Sequence, residues 1–163
     1  MSHGPAPSWI IFDFDGVFTD NRVLVGEDGT EYVFCNRADG LGVKMLRKAG
    51  MEMMVITTET NPVVQQRCRK LNLPVLVEPE DKAARLQQWS RESGVSLRDV
   101  AYVGNDLNDL EAIQLCGTSF APSDADPVIL KLVTHVLPCK GGAGISKEIY
   151  RHYFPTSDAQ PGK

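Results

Sequence analysis

The sequence predicts an α/β protein with a doubly wound, mainly parallel sheet and helices on both faces. Short apolar runs that are typical of buried strands alternate with amphipathic segments of helical length. This alternation favours parallel strands joined by crossover helices. Polar side chains directly follow several of the apolar runs, at the edge where open parallel sheets bind ligands. The chain shows no internal repeat and no domain-sized linker.

The first predicted strand leads into the most informative stretch, residues 9–20, with the sequence WIIFDFDGVFTD. Residues 9–12 form an apolar run that predicts a buried strand, and Asp13 and Asp15 follow it at once. Two carboxylates held close together in a poorly solvated site repel each other. A bound hard cation such as Mg²⁺ removes that cost, so the stretch predicts a cation site.

The remaining elements are predicted in chain order. Two β-type runs at residues 22–25 and 31–35 flank Gly26-Glu27-Asp28-Gly29, and an Asp-Gly between such runs is a strong hairpin signal. Helix signals such as Asn61-Pro62 at a start and Gly50 or Gly94 at an end set the helix boundaries. Further strands are predicted at residues 53–56, 75–77, 100–103, 119–121 and 135–137, and helices at residues 38–49, 61–71, 81–93, 110–116, 127–133 and 145–153.

Length and composition narrow the class of protein. The 163 residues, 42% hydrophobic and 23% charged, predict one globular domain over residues 9–154, with a disordered lead-in at 1–8 and a disordered tail at 155–163. The net charge of −4 and the lack of a basic stripe argue against a nucleic-acid partner. No apolar run approaches a membrane span. The four cysteines lie far apart, which favours reduced thiols in a cytoplasmic protein.

Acids and hydroxyls follow the carboxyl ends of three separate predicted strands. After the first strand come Asp13 and Asp15, and the other two groups are Thr57 with Thr58, and Asn105 with Asp106 and Asp109. Because these ends meet at one edge of a parallel sheet, we expect the side chains to form one site.

The residue types indicate phosphoryl transfer. Asp13 is the candidate nucleophile, since a carboxylate can attack phosphorus to give an aspartyl-phosphate. Asp15 can protonate the leaving alkoxide and later accept a proton from water. Asp106 would complete the cation site, and Thr57 offers donors to phosphate oxygens. Lys82, at the start of a predicted helix, can reach a phosphate as a point charge.

Two of these residues have ordinary alternatives. Lys82 taken alone is better explained as a solvated surface lysine. Asp109 is equally consistent with an acid in the first turn of a helix, where it would interact with the helix dipole.

The segments DFDGVFTD, VITTE, Lys82 and GNDLND, in that order, resemble the four motifs of the haloacid dehalogenase superfamily of phosphatases. The resemblance spans residues 10–148, and within the superfamily the chain is similar to a small branch without a cap domain. That branch includes 3-deoxy-D-manno-octulosonate 8-phosphate phosphatases, 2-keto-3-deoxynononate 9-phosphate phosphatases and the phosphatase-like module of N-acylneuraminate cytidylyltransferases. The resemblance implies Asp13 as nucleophile, Asp15 as acid/base, and Thr57, Thr58 and Lys82 as phosphate ligands. It implies Mg²⁺ held by Asp13, the Asp15 carbonyl and Asp106.

The chain departs from the octulosonate enzymes at three points. Those enzymes carry Gly-Asp-Asp where this chain has Asn105 between Gly104 and Asp106, which implies a weaker or rearranged metal shell. They carry Thr-Gly-Arg where this chain has Thr57-Thr58-Glu59. Their Gly-Gly-Arg-Gly stretch is Gly-Gly-Ala-Gly here, with Ala143 in place of the arginine.

These departures bear on the substrate. Glu59 with Lys70 resembles the pair seen in the nononate phosphatases, although a solvated Lys70 is the ordinary alternative. Arg37 or Lys140 are candidates to replace the missing arginine. The expected substrate is therefore a small phosphorylated sugar acid, an eight- or nine-carbon ulosonate phosphate.

The resembled branch also implies an assembly and leaves two rival functions. Its members are tetramers in which the hairpins pack together, so we expect a homotetramer with residues 140–144 near the pocket of an adjacent chain. One rival is a non-catalytic assembly module like some cytidylyltransferase-linked domains. The other is a phosphoacceptor receiver domain, which is disfavoured because its acceptor Asp follows the third strand, where this chain has Glu78-Pro79.

Overall fold

The structure is a computed structural model that describes residues 5–155. Eight strands and six α-helices alternate along this part of the chain. The strands are β1 (Trp9–Phe12), β2 (Thr19–Val25), β3 (Glu31–Cys35), β4 (Glu52–Thr57), β5 (Val75–Val77), β6 (Val100–Val103), β7 (Thr118–Ala121) and β8 (His135–Val136). The helices are α1 (Arg37–Lys48), α2 (Pro62–Leu71), α3 (Lys82–Ser93), α4 (Leu110–Leu115), α5 (Pro127–Leu132) and α6 (Ile145–Tyr153).

The main sheet has six strands in the order β5-β4-β1-β6-β7-β8, and every pairing in it is parallel. The predicted doubly wound fold is confirmed. The chain builds outward from β1 through β4 and β5, then crosses to β6 on the other side. β1 therefore lies at the point where the direction of winding reverses, which is where such sheets bind ligands.

The helices cover both faces of this sheet. On one face, Phe12 of β1 shares a core with Leu46 of α1 and Ile149 of α6. On the other, Ile11 shares a core with Leu86 of α3 and Ile129 of α5. Consecutive residues of β1 thus point to opposite cores, and both are fully buried, as expected for a parallel strand covered on two sides.

Strands β2 and β3 form a separate two-stranded antiparallel sheet, the hairpin. β2 begins at Thr19 rather than at the predicted Arg22, and its register shifts between Thr19 and Val23. Asn21, with φ of 65°, lies in this irregularity, and a bulge of this kind is not visible in the β-propensity of the residues.

The helix starts follow the capping signals in the sequence. Asn61 precedes Pro62 at the start of α2, and its side chain accepts a hydrogen bond from the Val63 amide. The helix predicted at residues 110–116 is α4, and a 3₁₀ turn that was not predicted, Leu107–Asp109, directly precedes it. A capping box between Asp106 and Asp109 tightens this first turn.

Three further findings concern the described residues as a whole. No helix within residues 5–155 is long and apolar enough to cross a membrane. All four cysteines are free thiols. The predicted lead-in and tail lie largely outside the described residues, and the division of the chain at residues 9 and 154 stays a prediction.

Candidate active site

Asp13 stands at the carboxyl end of the central strand β1. Its backbone amide continues the sheet by donating to the Val103 carbonyl at 2.8 Å, and the residue is only 5% exposed. Its Oδ1 lies 2.7 Å from the Lys82 Nζ. Burial, together with the nearby Asp109 charge, raises the pKa of Asp13 to about 7, against the opposing effect of Lys82. Asp13 is therefore a desolvated carboxyl group that depends on adjacent positive charge to stay ionised.

Lys82 is the buried cation of the site rather than a surface lysine. It opens α3, is 3% exposed, and its Nζ also contacts Asp109 Oδ1 at 2.8 Å. The neighbouring carboxylates raise its pKa although burial alone would lower it. Lys82 is therefore held charged and aimed at the end of β1.

Asp109 organises this end of the sheet and is completely buried. Besides Lys82, its carboxylate accepts the Tyr102 hydroxyl at 2.8 Å and the backbone amides of Asn105 at 2.9 Å and Asp106 at 3.3 Å. Gly104 makes this possible, because a Cβ there would lie 2.6 Å from the Asp109 Cβ. Asp109 thus fixes both Lys82 and the loop after β6.

Tyr102 was not predicted as a site residue. It lies in the apolar strand β6 and is fully buried, so its sequence context resembles core. The only available signal is chemical: a buried phenol needs a hydrogen-bond partner, and the acid seven residues on supplies it.

Asp15 lies half-buried on the loop after β1. Burial is the largest cause that raises the pKa of Asp15, and the Glu59 charge raises it further. Lys82 and a hydrogen bond with Thr19 act in the opposite direction. A carboxyl group with a raised pKa holds a proton more readily than a solvated one, which suits a general acid.

The segment after β4 surrounds the same edge. The Thr57 hydroxyl is buried and accepts the Glu59 amide at 3.0 Å, and Glu59 Oε1 accepts the Asn61 amide at 2.7 Å. Thr58 and Lys82 line a cavity of about 290 Å³. The structure thus brings Thr57, Thr58 and Glu59 to the edge that carries Asp13 and Asp15.

Asn105, not Asp106, faces Asp13 Oδ2 and the backbone carbonyl of Asp15. One terminal atom of the Asn105 amide lies 3.2 Å from Asp13 Oδ2 and 2.9 Å from the Asp15 carbonyl oxygen. The Asp106 carboxylate is exposed and accepts the Leu107 amide at 2.7 Å as a helix cap. Within residues 5–155, no three Asp, Glu, His or Cys side chains are grouped to hold a metal ion. The structure therefore places Asn105 rather than Asp106 beside Asp13, and which of the two completes a cation site stays a prediction.

The donors that do converge fit a hard divalent cation. They are one carboxylate oxygen of Asp13, the backbone carbonyl of Asp15 and the amide of Asn105. Mg²⁺ binds oxygen at about 2.0–2.1 Å in octahedral geometry, which puts neighbouring ligand oxygens roughly 3 Å apart. The spacings of 3.2 and 2.9 Å match that requirement.

Arg37 and Lys70 lie together in a different cavity, of about 590 Å³, between α1 and α2. Lys44, Arg47 and Arg67 also line it, and no acidic side chain of the described residues does. The structure therefore separates Lys70 from Glu59, which lies beside Asp15. Burial raises the pKa of the Cys35 thiol, which lies on the wall of this cavity, and the Arg67 charge opposes that rise.

The glycine-rich stretch packs on the catalytic loop of its own chain. The Gly142 amide donates to the Val17 carbonyl at 2.9 Å. A Cβ at Gly141 would lie 2.1 Å from the Gly16 carbonyl oxygen, so only glycine allows this approach. Contact of residues 140–144 with an adjacent chain stays a prediction.

Comparison with known proteins agrees with this geometry. The family model of haloacid dehalogenase-like hydrolases matches residues 63–149. The chain is 32% identical over 142 residues to 3-deoxy-D-manno-octulosonate 8-phosphate phosphatase KdsC from Haemophilus influenzae, covering 86% of this chain and 79% of the relative.

Two solved structures are similar over most of their length. A chain named as a HAD family hydrolase, from Streptomyces avermitilis, has a TM-score of 0.87 and 42% identity, covering 90% of this chain and 86% of that one. The cobalt-bound octulosonate 8-phosphate phosphatase from Haemophilus influenzae has a TM-score of 0.84 and 31% identity, covering 91% and 87%.

The chain belongs to the haloacid dehalogenase-like hydrolases. The predicted superfamily and the prediction of a phosphatase are confirmed. The receiver-domain alternative is wrong, because this family match covers more than half of the chain.

Proposed function

We propose that the protein is a divalent-cation-dependent phosphomonoesterase that acts through an aspartyl-phosphate on Asp13. The observation that carries this proposal is the buried contact of 2.7 Å between Asp13 and Lys82, with Asp15 two residues further on. It combines a carboxylate, a fixed positive charge and a second acid at one sheet edge, which are the parts that phosphoryl transfer requires.

The reaction proceeds in two steps. In the first, an Asp13 carboxylate oxygen attacks phosphorus, the bond from phosphorus to the sugar oxygen breaks, and Asp15 protonates the leaving alkoxide. In the second, Asp15 takes a proton from water as the water oxygen attacks the same phosphorus. The bond to Asp13 then breaks, which releases phosphate and restores the carboxylate. Lys82 and the Thr57 hydroxyl stabilise charge on the phosphoryl oxygens.

Asp13, the Asp15 carbonyl and Asn105 would hold the cation, and Mg²⁺ is the ion that these oxygen donors favour. When bound, Mg²⁺ supplies a Lewis acid that withdraws charge from the phosphoryl group. The cobalt-bound relative supports a divalent metal at this site. Exhaustive treatment with EDTA should remove activity, and added Mg²⁺ should restore it.

A small ulosonate phosphate is the proposed substrate. The curated relative named above is an octulosonate 8-phosphate phosphatase, which supports an eight-carbon sugar acid. Glu59 beside Asp15 can accept hydrogen bonds from sugar hydroxyls, and the basic cavity with Arg37 and Lys70 offers partners for a carboxylate. Glu59 and Lys70 favour the nine-carbon type, so the eight- and nine-carbon substrates are to be compared directly.

The test is a substrate panel measured with the Mg²⁺-loaded protein. It contains the eight- and nine-carbon ulosonate phosphates, a hexose phosphate without a carboxylate, and an aryl phosphate. We expect kcat/KM to be highest for one of the two ulosonate phosphates. Highest kcat/KM for the hexose phosphate would refute the substrate proposal and leave the phosphatase proposal standing.

The non-catalytic assembly module is the second candidate, and the amide of Asn105 is the observation that favours it. An amide where the octulosonate enzymes have a carboxylate reduces the charge available to hold a cation. No phosphate release from any member of the panel, at saturating Mg²⁺ and with correctly folded protein, would favour this module over the phosphatase.

We also propose that the protein is a homotetramer assembled through the hairpin. Its strands expose Leu24 (61%), Tyr32 (58%) and Phe34 (67%), with Val23 and Val25 also at half exposure or more. Apolar side chains concentrated on a short, otherwise unpaired sheet favour burial against a copy of the same surface.

A further inference from the structure

The Asn105 amide occupies a place where its two ends are chemically very different. Asn105 is only 7% exposed. Its terminal atom beside Asp13 Oδ2 and the Asp15 carbonyl, at 3.2 and 2.9 Å, faces only hydrogen-bond acceptors. Gly16 gives the amide its room, since a Cβ there would lie 1.9 Å from the other terminal atom of Asn105. The close approach and the burial mark a built position rather than a solvated side chain.

The two orientations of the amide suit different states at its inward end, while the outer end faces only donors and so favours Oδ1 outward in the metal-free protein. With Nδ2 inward, Asn105 donates hydrogen bonds to both Asp13 Oδ2 and the Asp15 carbonyl. With Oδ1 inward, this oxygen lies 3.2 Å from Asp13 Oδ2 and 2.9 Å from the Asp15 carbonyl oxygen, spacings that fit neighbouring ligands of Mg²⁺. A half-turn about the last side-chain bond interchanges the two states without moving the backbone, because the amide oxygen and nitrogen are nearly equal in shape.

We propose that the Asn105 amide replaces the cation in the metal-free protein and turns to become its ligand when the cation binds. This inference rests on the proposed cation-dependent function and concerns the same site. In the metal-free state the Nδ2 hydrogens donate to the two oxygens and so reduce the repulsion between them. In the loaded state Oδ1 coordinates the ion.

The exchange sets the strength of cation binding. The donor set contains one charged side chain, Asp13, whose Oδ1 is already paired with Lys82 at 2.7 Å. Binding must also break the two amide hydrogen bonds. Asn105 therefore lowers the affinity for the cation and raises the stability of the metal-free protein. A carboxylate at position 105 should raise the affinity and lower that stability.

The first experiment compares the wild-type protein with Asn105→Asp in the absence of substrate. Thermal unfolding is measured in EDTA, and Mg²⁺ binding is measured by isothermal titration calorimetry. We expect Asn105→Asp to melt at a lower temperature than wild type in EDTA, because a second carboxylate would face Asp13 without donors. We expect it to bind Mg²⁺ at least tenfold more tightly. Equal melting temperatures in EDTA together with equal Mg²⁺ affinity would overturn the inference.

Asp106→Asn is the matched control, since it changes an adjacent acid that is exposed. It should leave the Mg²⁺ affinity at the wild-type value. Asn105→Leu, of similar size, lacks both a donor and an oxygen, so it should lose stability in EDTA and lose affinity for Mg²⁺. Retained Mg²⁺ affinity in Asn105→Leu would show that the residue is not a ligand and would refute the proposal.

A second measurement observes the amide itself in the wild-type protein. The Asn105 side-chain NH₂ resonance, assigned by its loss in Asn105→Asp or Asn105→Leu, should exchange slowly with water in EDTA and faster with Mg²⁺. Unchanged exchange on Mg²⁺ saturation would contradict the turn. These readouts are independent of turnover. If Asn105→Asp does not show the expected changes in melting temperature and Mg²⁺ affinity, and the wild-type protein is an active phosphatase, this inference alone is refuted. If Asn105→Asp shows those changes but the wild-type protein is inactive on every phosphate, the proposed function alone is refuted.

Discussion

The buried cluster at the end of β1 and the exposed hairpin differ in how far their side chains are buried and partnered within the chain. In the cluster, Asp13, Lys82 and Asp109 are nearly inaccessible to water, and each charge has a partner within 2.8 Å. In the hairpin, large apolar side chains such as Phe34 remain 67% exposed. The chain satisfies its costly charges internally and leaves its apolar surface uncovered. The contacts that hold Asp13 and Lys82 are therefore made within one chain, whereas the exposed hairpin favours assembly.

The largest expected effect comes from removing the nucleophile. Asp13→Asn keeps the size of the side chain but cannot form the aspartyl-phosphate, so kcat should fall by about six orders of magnitude, as when a serine protease loses its nucleophile. Phosphate release under saturating substrate and Mg²⁺ measures this.

Asp106→Asn is the matched control for that variant, since it removes an exposed helix-capping carboxylate on the neighbouring loop. It should keep its activity and its Mg²⁺ requirement. Normal turnover in Asp13→Asn would rule out the covalent mechanism.

The second effect concerns stability of the buried cluster. Asp109→Ala removes the acceptor of Lys82 and Tyr102 and leaves a buried cation with one partner. Breaking such a pair costs about 3–5 kcal/mol of unfolding free energy. Tyr102→Phe removes one donor and should cost about 1 kcal/mol. Urea denaturation of the metal-free proteins compares the two, and equal losses would show that Asp109 does not anchor the cluster.

The sequence revealed those parts of the cluster that lie within one local segment. Asp13 and Asp15 follow a single apolar run, and a strand end is readable from its hydrophobic pattern. Lys82 could be predicted as a site residue only from the order of the motifs, because a lone lysine at a helix start is better explained as a surface residue. The strand boundaries of the main sheet were predicted to within one or two residues for the same reason, since buried parallel strands are continuous apolar runs.

The parts that escaped prediction depend on the direction of side chains after a strand has ended. Asn105 and Asp106 are adjacent, and the turn at Gly104 decides which one faces Asp13. Asp39 shows the same limit at longer range, because its buried carboxylate accepts the amide and hydroxyl of Ser146, 107 residues away. Contacts of that kind follow from the packing of α1 on α6, which no local pattern specifies.

The third effect concerns the assembly that the exposed hairpin residues are expected to form. We expect light scattering to give the mass of four chains for the wild-type protein and of a smaller species for Leu24→Ser/Phe34→Ser. Because both side chains are more than 60% exposed, their loss should leave the unfolding of a single chain nearly unchanged. Val128→Ser, at a site 48% exposed on α5, is the matched control and should stay tetrameric. A fully active wild-type monomer at assay concentration would contradict the assembly.

The smallest expected effect tests whether the basic cavity takes part in substrate recognition. Lys70 is exposed and lines that cavity with Arg37, so its pairing with a substrate carboxylate is partly screened by water. Lys70→Ala should therefore lower kcat/KM for the ulosonate phosphates by roughly two- to fivefold and leave an aryl phosphate unaffected. It should also reduce any preference for the nine-carbon over the eight-carbon substrate. Lys48→Ala, at another exposed basic residue on α1, controls for net charge. An unchanged ratio of nine- to eight-carbon kcat/KM in Lys70→Ala would remove Lys70 from the specificity site, because a group that contacts the substrate must distinguish substrates that reach it differently.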